Sequence, residues 1–232
     1  MSDANAVQVG AMVEYCRLRL EPFLEGRLDC RGLIVGCGNG EEVVYLRQAF
    51  RSAGVVGVDL DLRFSPLARA EGCVARGDAL HLPFPEMTFD FAAALHLLEH
   101  VLDPCAALGE VRRVLRPGAP FYTGVPNRTR VVGYLGSFDA TLWQKVTWNL
   151  ADWQARLLGR FTNEAGAHAG FTREELLTLL NERFEHVECV TEEFLRFKYG
   201  GRLPPPLLDL LLSPRVLDHS APSHYALCRR AA

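Results

Sequence analysis

The 232-residue chain has no apolar run of about 18 residues, so nothing in it reads as a bilayer-spanning helix. It has no Cys-x-x-Cys pair. Its seven cysteines (Cys16, Cys30, Cys37, Cys73, Cys105, Cys189 and Cys228) are odd in number and scattered, which excludes a disulfide frame or zinc site and fits reduced thiols. There is no basic excess either: 25 Lys and Arg against 28 Asp and Glu leave a net charge of −3. That argues against a protein built around the phosphates of duplex nucleic acid, although a local basic patch survives the argument. The opening MSDANAVQVG lacks the basic and apolar regions of a secretory leader, so a cytoplasmic location is expected. Internal repeats and low-complexity tracts are missing. With 49% hydrophobic and 23% charged residues, the composition is that of an ordinary globular chain, read as one domain over 1–232.

What is present is an alternation of short apolar runs with amphipathic stretches. Strands are expected at 32–37 (GLIVGC), 55–59 (VVGVD), 73–76, 89–95 (FDFAAAL) and 119–125 (APFYTGV). Helices are expected at 39–50, at 62–70 with Asp61 as its cap, and at 104–115 with Pro104 in its first turn. Strands bare of polar residues alternating with helices mean an α/β fold whose parallel sheet is buried on both faces. The alternation stops after Pro126. Residues 127–170 hold all three tryptophans (Trp143, Trp148, Trp153) and five cations, and read as a helical insertion. Its aromatics either pack on the main core or form a lid over a pocket, and both can hold. A helix at 172–181 follows, with Thr172 and Glu175 forming a capping box, then apolar segments at 184–190 and 224–229 flanking a stiff proline corner, LPPPLLDLLL.

The loop Gly36-Cys37-Gly38-Asn39-Gly40 follows the first strand and opens a helix, the setting in which bare glycines let a ligand approach backbone amides. A dinucleotide fingerprint would need a glycine at 41, where Glu41 stands, followed by Glu42. Two carboxylates in that first turn would repel a pyrophosphate but not a ligand lacking phosphate. The second strand ends in Asp59, placed to accept from both ribose hydroxyls; Asp61 is the competing candidate but sits better as the helix cap. The third ends in Gly77-Asp78-Ala79, a corner suited to an adenine amino group. Adenosine without pyrophosphate is the ligand these three strand ends imply.

Taken in order, VGCGNG (35–40), GVD (57–59), GDALHLPFPEMTFDF (77–91), LLEHVLDP (97–104), EVRRVLRPG (110–118), VPN (125–127) and HAGFTREEL (168–176) resemble the class I S-adenosylmethionine-dependent methyltransferases. The small-molecule subfamily that includes quinone-biosynthesis enzymes is the nearest likeness. The resemblance implies a Rossmann-like, seven-stranded, mostly parallel sheet with helices on both faces, an antiparallel last strand, and the helical insertion after the fifth. It implies S-adenosyl-L-methionine as cofactor, with contacts at Gly36, Cys37, Gly38, Gly40, Asp59, Leu60, Asp78, Ala79 and Leu95. The partner it implies is a small molecule, apolar or aromatic in view of Tyr134, Phe138, Trp143 and Trp148, with no nucleic acid and no stable membrane insertion. The base-methylating N/D-P-P-Y motif is absent after the fourth strand, which reads ALHL. One departure stands out. The family's acid two positions before the first glycine, which helps hold the methionine ammonium, is Ile34 here. The function the resemblance implies is methyl transfer to a small molecule; Ile34 is the feature that favours the alternative, a regulatory or inactive relative that binds S-adenosylmethionine without transferring methyl.

A sulfonium methyl is already activated, so positioning the acceptor is the main task, and a base is needed only for a protonated acceptor. His96, just past the fourth strand, is the candidate base; the alternative is a histidine that merely packs against cofactor or helix. His168 is a second candidate, read rather as a residue that orders the lid. His96, Glu99 and His100 would share one face if a helix began there, a set that suits a divalent metal. Polyprenyl-dihydroxybenzoate O-methyltransferases carry carboxylate, carboxylate and histidine at the corresponding positions. Relatives with Glu-His but no metal use the pair for packing, and no metal is expected here.

Overall fold

The computed structural model describes residues 10–24, 29–134, 140–163 and 169–232. Helix α1 (Ala11–Leu20) precedes β1 (Gly32–Val35), α2 (Glu41–Phe50), β2 (Val55–Asp59), α3 (Pro66–Ala70), β3 (Val74–Arg76), β4 (Phe91–Leu95), α4 (Pro104–Val114) and β5 (Pro120–Pro126). Then come α5 (Leu142–Leu157), α6 (Arg173–Asn181), β6 (Glu185–Cys189), α7 (Thr191–Tyr199), α8 (Pro205–Leu211), α9 (Leu217–Ser220) and β7 (Ser223–Arg229).

The strands form one seven-stranded sheet in the order β3-β2-β1-β4-β5-β7-β6. Strands β1 to β5 run parallel, with Gly32 opposite both Val55 and Phe91, and β7 runs antiparallel to β5 and β6. Every residue of β1 and β4 is buried, as expected of strands covered on both faces. Ile34, Ala93 and Tyr122 face a core closed by α1, α2 and α7, while Leu33, Ala92 and Phe121 face one closed by α4 and α6. Between β1 and β4 the strand order reverses, so the loops after these strands diverge and leave a crevice at their carboxyl ends.

Three local expectations are corrected. Helix α3 begins at Pro66 rather than 62, and its cap is Ser65, whose Oγ accepts from the Ala68 N–H at 3.2 Å; Asp61 caps nothing. Pro66 sets this start, because a residue preceding proline is held out of helical conformation. The tryptophans of the insertion do not pack on the main core: Trp143 is 75%, Trp148 40% and Trp153 45% exposed. Helix α5 is held instead through a polar face. Asp152 accepts from Arg130 Nη2 at 2.7 Å and from the Tyr134 hydroxyl at 3.1 Å, and Asn149 exchanges hydrogen bonds with the backbone of Gly133. The proline corner is also not a turn but a helix, α8, whose prolines lie in the first turn where no N–H is missed. The capping box of α6 forms as expected, Thr172 with Glu175.

The insertion leaves and rejoins the body at one point. The Arg128 N–H donates to Phe171 O and the Phe171 N–H to Pro126 O, both at 3.0 Å, pairing its two ends. Beside them the buried Asn127 amide donates to the carbonyls of Asp218 and Ala221 at 2.7 and 2.8 Å, tying this stem to α9. Phe138 and His168 lie outside the described residues.

Candidate active site

The glycine loop turns because three of its residues have positive φ: Gly36 at +71°, Gly38 at +53° and Gly40 at +81°. At Gly36 a Cβ would stand 2.8 Å from the Leu97 side chain, whereas at Gly38 it would meet nothing within 4 Å. Gly38 therefore presents bare backbone to open space. Asp59 braces the loop: its Oδ2 accepts from the Gly38 N–H at 2.8 Å and its Oδ1 from the Asp61 N–H at 2.9 Å. Each carboxylate oxygen keeps a second lone pair for a ligand hydroxyl.

Above this loop lies a cavity of about 630 Å³. Of the expected site residues, Gly36, Gly38, Asp59, Leu60, Asp78, Ala79 and His96 line it. Cys37, Gly40 and Leu95 are not part of its wall. Cys37 is buried against Gly57, its thiol pushed up to about 12 chiefly by desolvation and then by the charge of Asp59. Leu95 belongs to the core on the α1 side. Val35, Asn39, Asp61, Arg63, Gly77, Leu97, His100 and Val101 complete the lining. Asp61, read from sequence as a cap, is thus a cavity residue whose Oδ2 accepts from Arg63 Nε at 2.6 Å.

A second cavity, of about 480 Å³, adjoins the first, and His96 and His100 line both. Its walls come from α1 (Met12, Val13), α2 (Glu42), the ends of β5 and β7 (Pro126, Ser223, Tyr225), α7 (Lys198) and the insertion (Arg130, Tyr134). Sequence reading missed most of this wall, because α1 and α7 carry no side-chain cap hydrogen bond to announce them. Lys198 is held below the usual lysine range by burial, then by the charges of Arg202 and Lys145.

Between the cavities the chain does not form the helix that would align His96, Glu99 and His100; residues 98–100 make a turn instead. His96 sits at φ +56°, a left-handed backbone rare for a non-glycine residue, and its N–H donates to Gly124 O at 2.8 Å. Its Nδ1 lies 3.3 Å from Glu99 Oε1, and His100 Nε2 lies 3.9 Å from the same oxygen. The Glu99 side chain is only 1% exposed, and its Oε2 has no hydrogen-bond partner among the described residues.

Residues 33–123 match the family described as a methyltransferase domain. This segment is a methyltransferase domain of the class I S-adenosylmethionine-dependent kind. The chain is 36% identical over 168 residues to a fatty-acid O-methyltransferase of Mycolicibacterium smegmatis, a match covering 69% of this chain and 55% of that protein. It is 35% identical over 109 residues to a demethylmenaquinone methyltransferase of Staphylococcus aureus, covering 44% of this chain and 45% of the other. The chain thus spans about half the length of these curated relatives. Among solved structures, a geranyl diphosphate methyltransferase in complex with S-adenosylmethionine aligns with a TM-score of 0.58 at 19% identity, over 95% of this chain and 85% of that one. At that identity the likeness is one of fold. The residues of this domain fit the cofactor: an open glycine cradle at Gly38, carboxylates at the ends of β2 and β3, and, across the shared His96 wall, an orphaned carboxylate oxygen on Glu99.

Proposed function

We propose that this methyltransferase holds S-adenosylmethionine in the 630 Å³ cavity and methylates a small molecule seated in the 480 Å³ one. The observation that carries the reading is that the two cavities share a wall at His96 and His100. A donor and an acceptor held there meet across that wall, and positioning of this kind is worth about 7–11 kcal/mol. When bound, the cofactor supplies a methyl on a positively charged sulfur, and the S–CH3 electron pair stays with the sulfur as the methyl moves.

The chain's own residues do the rest. Asp59 accepts from the ribose hydroxyls, Asp78 and Ala79 border the adenine, and the backbone at Gly36 and Gly38 lies along the remainder. Glu99 Oε1 stands 3.3 Å from His96 Nδ1 and favours a proton on that nitrogen, which leaves Nε2 as the basic lone pair for the acceptor's proton. The acceptor wall combines Met12, Val13, Tyr134 and Tyr225 with the cation of Lys198. That mixture suits an apolar or aromatic body bearing an acidic oxygen, in keeping with the fatty acid and the quinone in the relatives' names. Among the described residues no helix is long and apolar enough to cross a membrane, and the described cysteines are free, as a reducing cytoplasm would keep them. Residues 127–170 act as a lid on the acceptor side of one domain.

The test is incubation with S-adenosylmethionine carrying a labelled methyl and a cell extract split into small molecules, nucleic acid and protein. Label in organic-extractable small molecules is expected. Label confined to nucleic acid or protein would contradict the proposed acceptor class, and no transfer at saturating cofactor would contradict the activity.

A further inference from the structure

The carboxylates around the first cavity are unevenly placed. Asp59, Asp61 and Asp78 all lie at the ends of β2 and β3, on the side assigned to adenosine, and Asp59 is already braced against two backbone amides. The amino-acid end of S-adenosylmethionine carries an ammonium that needs a negative partner on the other side. Ile34, where the family resemblance implies an acid, supplies none: it is 1% exposed within the core on the α1 side.

Two other carboxylates stand across the wall of His96 and His100, in the second cavity. Glu42 lies two residues past Gly40, in the first turn of α2, and lines the second cavity beside His96. It makes no hydrogen bond or ion pair with any described residue. Glu99 lines the same wall, sealed from solvent, with Oε1 turned to the two histidines and Oε2 left without a partner. An unpartnered carboxylate in so enclosed a place is costly unless something cationic completes it.

We infer that Glu42, together with Glu99 Oε2, holds the methionine ammonium of S-adenosylmethionine, the amino-acid tail reaching past the shared His96 wall into the second cavity, and so replaces the acid that Ile34 has displaced from the end of β1. The anion has moved from the strand to the helix on the far side of the glycine loop. Desolvation pushes the Glu42 carboxyl up to about 7, with the charge of His96 pulling the other way, and a cation bound beside it would lower it again. The inference rests on the cofactor reading above. It adds which residues of this chain recognise the amino-acid end.

Titration calorimetry separates the two readings. S-adenosylhomocysteine carries the amino-acid tail; methylthioadenosine has the same adenosine and sulfur without it. The wild-type chain should bind both, the first more tightly. Glu42→Gln should weaken S-adenosylhomocysteine by about 10- to 100-fold, the range for losing a hydrogen bond to a charged group, and leave methylthioadenosine unchanged. That unchanged affinity also reports that the variant is folded. Equal affinity of the variant and wild type for S-adenosylhomocysteine would overturn the inference. So would equal losses for both ligands, which would make Glu42 a support of the loop rather than an ammonium partner; Glu42→Asp, which keeps the charge, should then fail to recover the tail-specific preference. A wild-type chain that binds neither compound would overturn the cofactor reading itself.

Discussion

Asp59 both braces the glycine loop and lines the first cavity, so its removal should act twice. Asp59→Ala should cut S-adenosylmethionine affinity by about 1.5–3 kcal/mol, as for lost hydrogen bonds to a charged group, measured by calorimetry. Asp61→Ala should do markedly less, since its oxygen is engaged with Arg63 and not with the loop. An equal loss in both variants would shift the ribose from Asp59 towards Asp61. At this scale the strand-end carboxylates and His96 were legible in the sequence, because each follows an apolar run that ends at the sheet's carboxyl edge. Glu42 was not. It was read as an acid that excludes pyrophosphate, and only the folded chain shows its side facing α1 and His96. His224 was equally hidden. It lies on β7 with neither ring nitrogen partnered among the described residues, and burial, aided by Arg173, lowers its pKa to about 4 from an ordinary 6.5. The folded state therefore refuses a proton that the unfolded chain accepts, and stability falls as pH drops from about 6.5 towards about 4. Between pH 7.5 and 5 this one group should remove about 2 kcal/mol. Urea unfolding of His224→Leu should show a correspondingly shallower loss over that interval; an unchanged pH slope would contradict the assignment.

At the scale of elements, the long periodic segments were readable and the quiet ones were not. Helices α4 and α6 announce themselves with Asp103-Pro104 and the Thr172–Glu175 box, and both carry those caps in the structure. Helix α1 follows Gly10 and α7 follows Val190 with no side-chain cap, so sequence alone gave no start signal, yet they bury Tyr15, Phe194 and Leu195 and build part of the second cavity's wall. The insertion shows why composition misleads about orientation. Its tryptophans suggest burial, but Asn149, Asp152 and Arg156 on one face of α5 find Gly133, Arg130 and the Arg130 carbonyl, and that polar match turns the indoles outward. Because this segment hangs on a paired stem beside the second cavity, we expect protease to cut first within 127–170 and cofactor product to slow the cut. Cleavage at the same rate with and without saturating S-adenosylhomocysteine would leave it a structural insertion rather than a lid.

Across the whole molecule, one topological fact organises the chemistry. The strand order reverses between β1 and β4, and the loops leaving them, Gly36 to Gly40 and His96 to His100, frame the crevice from opposite sides. The antiparallel β7 and the helices α1 and α7 close the other flank, which makes a second cavity next to the first. Two cavities sharing the His96 wall are thus a product of the fold, and the proposed function gives one to the donor and the other to the acceptor. The most direct test is a crystal structure of the chain with S-adenosylhomocysteine bound. The account predicts ribose hydroxyls on Asp59, the thioether beside His96 and the amino group within hydrogen-bond reach of Glu42 and Glu99. A ligand seated away from the glycine loop, or lying in it with its ribose remote from Asp59, would contradict it.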